Sequence, residues 1–227
     1  MKKSVLIVGA GNGLSASLSR AFHARGNHVV LVARNTKKLT SLASEVNADM
    51  YSCDVSDASA VQLLFSDLVD YELDTVIYNP SYRARGNLVD LDVNEVQKAI
   101  QVCAYGGFLV AQQGVKKMLQ SGGGNILFTG ASASIKGFAR SAPFAMGKFA
   151  LRGLAQSMAR ELAPQNIHVA HFVIDGGILS VDKVEDGIGQ DSFLDPDEIA
   201  KNYVHVANQS CSAWTWEIEL RPWSERF

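Results

Sequence analysis

The chain has 227 residues, 47% hydrophobic and 19% charged, with 21 Lys and Arg against 23 Asp and Glu. This composition excludes a disordered or low-complexity chain and leaves no basic field for nucleic acid, while the length suits one large α/β domain. Cys53, Cys103 and Cys211 are odd in number and widely spaced, which draws neither a disulfide framework nor a zinc pattern and favours a reduced, cytoplasmic setting.

No run reaches the roughly 18 apolar residues of a membrane span, so no membrane partner is expected. The basic start and the apolar run at 5–8 enter a glycine loop instead of a cleavage site, which reads as a strand and not a signal peptide. Residues 4–8 have the continuous hydrophobicity of a strand buried on both faces. Leu14, Leu18, Ala21 and Phe22 then recur at helical spacing up to Gly26. A strand at 28–33 precedes a helix marked by Leu39, Leu42 and Val46, and a third strand follows at 50–53. Ser56 is the expected cap of a helix carrying Val61, Leu64, Phe65 and Leu68 on one face.

Residues 75–78 form a fourth strand, and an irregular stretch runs through Gly86. One long helical pattern spans 93–120, followed by a strand at 125–129, a helix at 142–162 and a strand at 167–174. Asp195 caps a later helix, with Pro196 first and Glu198 as the returning partner of a capping box. Trp214, Trp216, Ile218 and Leu220 alternate with polar residues as a seventh strand. The alternation predicts an α/β fold: a doubly wound, parallel, seven-stranded Rossmann-type sheet with helices on both faces, and 1–227 as a single domain.

The loop Gly9-Ala10-Gly11-Asn12-Gly13-Leu14-Ser15 lies between the first strand and first helix, where a phosphate can approach bare backbone. Leu14 breaks the GxGxxG pattern; the spacing follows GxxxGxG through Gly9 and Gly13, with Ser15 in place of the last glycine. The second strand ends in Ala33-Arg34-Asn35 with no acid to hold a ribose 2′-hydroxyl. The Arg34 guanidinium suits a 2′-phosphate, which favours NADP(H) over NAD(H).

With Cys53-Asp54-Val55-Ser56-Asp57, Tyr78-Asn79-Pro80-Ser81, the Phe144-to-Lys148 segment and Asp175-Gly176-Gly177-Ile178, the loop resembles the short-chain dehydrogenase/reductase family over most of the chain. The resemblance implies that Asp54 holds the adenine amino group and Val55 lines the adenine pocket. Asn79, beside Pro80, braces the sheet next to the cofactor; Lys148 binds the nicotinamide ribose, and Gly176 with Ile178 meets the carboxamide. It also implies a small-molecule substrate and a homodimer or homotetramer.

The family's catalytic tyrosine falls on Phe144, its serine on Ala131 and its helix asparagine on Cys103. A phenyl ring donates no proton. Replacement donors are Tyr105, Ser132, a water held by Lys148, or Lys148 itself. Three readings follow: a reductase of small carbonyls or alcohols, a reductase of conjugated enones, and a catalytically silent NADP(H)-binding sensor or scaffold. The enoyl-reductase form of the family places its tyrosine where this chain has Ser141, so it gains no direct support.

His171 in its apolar strand reads as a core residue, and no histidine has ligand spacing, so no metal is expected. A short lid at about 179–194 is expected to choose the substrate, and its Asp182, Glu185 and Asp186 argue against an anionic one.

Overall fold

Alternate residues of the first strand serve two different cores. In the structure, a computed structural model that describes residues 3–179 and 192–225, β1 (Lys3–Val8) sends Leu6 and Val8 into one apolar cluster and Val5 and Ile7 into another. Both faces are therefore covered, which explains the unbroken hydrophobic run. Around β1 lie β2 (His28–Ala33), β3 (Asp49–Ser52), β4 (Glu72–Tyr78), β5 (Gly124–Thr129), β6 (Ile167–Ile174) and β7 (Glu217–Leu220). The seven strands are parallel, in the order β3-β2-β1-β4-β5-β6-β7.

One core packs α3 (Ala58–Asp67), α5 (Gly106–Ser121) and α6 (Ala142–Leu162) against the sheet; the other packs α1 (Leu14–Ala24), α2 (Thr40–Glu45) and α7 (Pro196–Ala207). α4 (Val93–Ile100) leads toward α5. The strand order reverses between β1 and β4, and the crevice at their carboxyl ends is where a doubly wound sheet receives ligands.

Several expectations are corrected in detail. The helix at 58 is capped by Asp57, whose carboxylate accepts from the amides of Ser59 and Ala60, and not by Ser56. Ser56 stands one residue too early, and its hydroxyl donates to Asp54. The capping box at Asp195 is half formed: Asp195 accepts from Asp197 N, but the Glu198 carboxylate reaches Lys201 instead. Trp214 and Trp216 precede β7; Trp214 stacks on His168 with ring centroids 4.7 Å apart and donates to Gln209 O. The long helical pattern is interrupted by a π turn at Gln101–Tyr105. There the Tyr78 hydroxyl donates to Val102 O, and Gly106 and Gly107 let the helix lie against the tyrosine: a Cβ on Gly106 would sit 2.5 Å from its oxygen.

Most of the expected lid lies outside the described residues. Its ends are pinned together, since Leu179 N donates to Leu194 O and Leu194 N donates to Gly177 O, each at 2.8 Å.

Candidate active site

The glycine loop is anchored before it is open. Gly9 N and Ala10 N both donate to Val32 O at 2.9 Å, and Gly9 has φ +79° with its missing Cβ replaced by the backbone of Pro80. Asn79 Nδ2 donates to Ser15 Oγ at 2.9 Å and to Gly9 O at 3.3 Å, so the end of β4 braces the loop. Gly11 and Gly13 differ from Gly9: a Cβ on either would meet no atom of the described residues within 4 Å. Asn12 is exposed, while the Leu14 side chain is buried in the core below α1. No acid stands in the first turn of α1 and no side chain of the described residues caps it; Ala16 N donates to Gly13 O, and the amides before it are left for a ligand. The open glycines and free amides fit a pyrophosphate.

A pocket of about 300 Å³ opens beside this loop, lined in part by Arg34, Asn35, Lys38, Asp54, Val55 and Pro80. Asn35 uses its carboxamide oxygen to accept from Lys37 N, capping the turn that follows β2. The Asp54 carboxylate accepts from Ser56 N and Oγ, and these bonds hold its pKa below the usual carboxylate range. Lys38 was not anticipated; it lies in the turn Thr36–Leu39 that follows β2, lines the same pocket and adds a second cation.

A wider cleft of about 1000 Å³ continues from Gly13 and Asn79 to the ends of β5 and β6. Lys148 lies against it, 2% exposed, donating to Thr129 O at 2.7 Å. Burial pushes its ammonium down to about 8. Phe144 stands one turn earlier, its ring centroid 5.8 Å from Lys148 Nζ. Cys103, Ala131, Ala133 and Phe144 form one apolar cluster. The three positions where the resemblance expects catalytic polar groups are thus in a single packed unit. Gly147 makes this possible, because a Cβ there would sit 2.6 Å from Cys103 Cβ.

Ser132 lines the same cleft, with no hydrogen bond from its hydroxyl among the described residues. Ser134 turns inward, its hydroxyl accepting from Ala131 N. Tyr105 is not brought to the site. It is 45% exposed and stacks on Phe108, because the π turn that buries Cys103 directs the residue two places on to the opposite side. His171 is a core residue as expected: Nδ1 bonds Glu217, burial lowers its pKa to about 4, and Nε2 lies beneath Gly130.

Gly176, at φ +145°, and Ile178 line the cleft from the other side, and the neighbouring Asp175 is paired with Lys136 at 3.1 Å. Arg83, Arg85 and Arg140 complete this lining and were missed in the sequence. Two arginines in the irregular segment that follows a strand's carboxyl end, as Arg83 and Arg85 are after β4, were the available signal. Among the described residues no three His, Cys, Asp or Glu side chains gather to hold a metal, and no helix is long and apolar enough to cross a membrane.

Comparison with known proteins gives the family and the fold. The family model for short chain dehydrogenases matches residues 3–184. A trans-4-hydroxycyclohexanecarboxylate dehydrogenase of Sinomonas cyclohexanicum is 30% identical over 183 residues, covering 74% of this chain and 70% of its own. The crystal structure of a short-chain dehydrogenase from Rhodopseudomonas palustris superposes with a TM-score of 0.85 at 32% identity, covering 97% of this chain and 99% of that one. A metagenomic short-chain oxidoreductase solved in complex with NADP gives 0.82 at 25% identity, covering 98% of each chain. On the matched residues and the shared fold, the chain belongs to the short-chain dehydrogenase family.

Proposed function

We propose that the chain binds NADP(H) and acts as an oxidoreductase on a small carbonyl, alcohol or conjugated enone, with Lys148 handling the proton. The observation that carries this reading is Lys148 itself: buried, lining the cleft, fixed by Thr129 O and brought down to about 8. A proton-transfer group works best with a pKa near the working pH. The Lys148 ammonium protonates the developing alkoxide in reduction, and its neutral amine takes the proton in oxidation. The Ser132 hydroxyl is free to orient the substrate oxygen. The dinucleotide supplies or accepts the hydride when bound.

Arg34 and Lys38 favour a cofactor with a 2′-phosphate, in keeping with the metagenomic relative's complex with NADP. The Sinomonas relative is named for a hydroxyl-bearing ring, which supports an alcohol or carbonyl substrate here. On this reading the chain is one cytoplasmic domain with its lid at 179–194. It self-associates as a dimer or tetramer through the exposed Tyr105, Phe108, Met146 and Phe149.

The apolar cluster around Phe144 favours a second reading, a catalytically silent NADP(H)-binding sensor or scaffold. Incubation with C4-deuterated NADPH and panels of ketones, aldehydes and enones separates the two. Deuterium in a product supports the oxidoreductase; tight NADPH binding with deuterium in no product supports the silent binder.

A further inference from the structure

The wide cleft is cationic where the substrate must lie. Arg83 and Arg85 come from the segment after β4, and Arg140 comes from the loop before α6. The two segments are tied by a hydrogen bond from Gly86 N to Arg140 O at 3.2 Å. Arg140 holds φ +61°, a left-handed conformation that a residue with a Cβ adopts only against strain, and such strain gathers at ligand-binding positions. The Arg83 guanidinium lies 4.6 Å from the centroid of the Phe144 ring, over the position of the family's tyrosine.

None of the three arginines has an ion-pair partner among the described residues. The lining offers two carboxylates, and one of them, Asp175, is already engaged by Lys136. The like charges act on one another: burial and then Arg85 lower the pKa of Arg83, and Arg83 adds to the burial that lowers Lys148. An oxyanion among them removes that repulsion and meets the planar guanidinium donors in pairs. The phosphates of a dinucleotide are served elsewhere, by the glycine loop and by Arg34 in the smaller pocket, which none of these three arginines lines.

We propose that the substrate carries an anionic group, a carboxylate or a phosphoryl group, held by Arg83, Arg85 and Arg140 while its reacting carbon lies toward Lys148. This rests on reading the cleft as an oxidoreductase site, and it names the substrate class. It reverses the expectation drawn from Asp182, Glu185 and Asp186, which lie outside the described residues.

Titration calorimetry on the full chain, alone and saturated with NADP+, tests it with 4-oxopentanoate, its methyl ester and inorganic phosphate. An anion should bind at least about tenfold more tightly than the neutral ester, since a hydrogen bond to a charged group is worth that much. Preference for 4-oxopentanoate assigns a carboxylate, and preference for phosphate assigns a phosphoryl group. Arg85→Gln and Arg140→Gln should abolish the preference at unchanged melting temperature, Arg85→Lys should restore part of it, and NADPH affinity should stay within about twofold. Equal binding of acid and ester without phosphate binding overturns the proposal. So does a tenfold loss of NADPH affinity in the arginine variants, or anion binding that appears only when Asp182, Glu185 and Asp186 are neutralised. If NADPH fails to bind while an arginine-dependent anion site persists, the oxidoreductase reading falls and the anion site stands.

Discussion

The two ends of the cleft are built on opposite principles. At the glycine loop the described chain leaves room: a Cβ on Gly11 or Gly13 would meet none of its atoms within 4 Å, and Arg34 and Lys38 line a pocket with Asp54, whose pKa is held down by Ser56. At the proton-transfer end the chain satisfies itself, since Phe144, Ala131 and Cys103 pack together and Gly147 lets Cys103 close in. A lone polar group among these apolar neighbours would be buried without a partner, and an unmet buried polar group is costly. On the proposed reading, the difference separates an open cofactor end from a proton-transfer end whose apolar side chains pack on one another. Lys148 stands at the border, with one buried hydrogen bond and no carboxylate partner among the described residues.

The strongest way to break this comparison is at Lys148. Lys148→Met should lower turnover by about 10²–10⁴, the usual worth of acid–base help. Reduction needs the protonated lysine, so in the parent chain kcat/KM for reduction should fall as pH rises through about 8, and oxidation should rise over the same range. Lys148→Arg keeps a charge that no longer titrates there, so it should retain NADPH affinity and lose the pH inflection. An unchanged pH profile in Lys148→Arg excludes the lysine as proton carrier. The next effect should come from reversing the apolar repacking. Phe144→Tyr with Ala131→Ser should raise carbonyl reduction about 10²-fold if the reactive geometry survives under the cluster. No gain, with the fold intact by melting temperature, means that the packing around Arg83 and Cys103 has closed the old proton path.

At the cofactor end, Arg34→Asp should weaken NADPH by about ten- to a hundredfold and improve NADH, because a carboxylate repels the 2′-phosphate and accepts from a ribose hydroxyl. Fluorescence titration with both cofactors checks it; unchanged NADPH affinity removes Arg34 from the site and leaves the pocket's charge to Lys38.

The chain announced its framework because strand and helix periodicities are local: β1 and β2 carry continuous apolar runs at 5–8 and 29–33, β6 is apolar apart from His168 and His171, and α6 carries its pattern over its whole length. The π turn was hidden, since it follows from Tyr78 pressing on Gly106, a contact between residues distant in sequence. Tyr105 was misplaced for the same reason: one extra residue in the turn redirects every side chain near it. Arg140 was invisible because its placement depends on a loop conformation and on a hydrogen bond from Gly86 N, neither of which leaves a periodic trace.

The smallest expected effect separates the loop's two kinds of glycine. Gly9→Ala places a Cβ at φ +79° and within 3 Å of Pro80, so both backbone strain and a clash act on the folded chain. Left-handed strain alone costs about 1–2 kcal/mol, and the variant should melt several degrees lower. Gly11→Ala meets nothing within 4 Å among the described residues and needs no positive φ, so its melting temperature should match the parent or slightly exceed it. Its penalty should appear only when a dinucleotide is added, as weaker NADPH binding and a smaller ligand-induced rise in melting temperature. If Gly11→Ala binds NADPH as the parent does, the open space beside it is not where the pyrophosphate lies, and the contrast between the two ends of the cleft loses its clearest support.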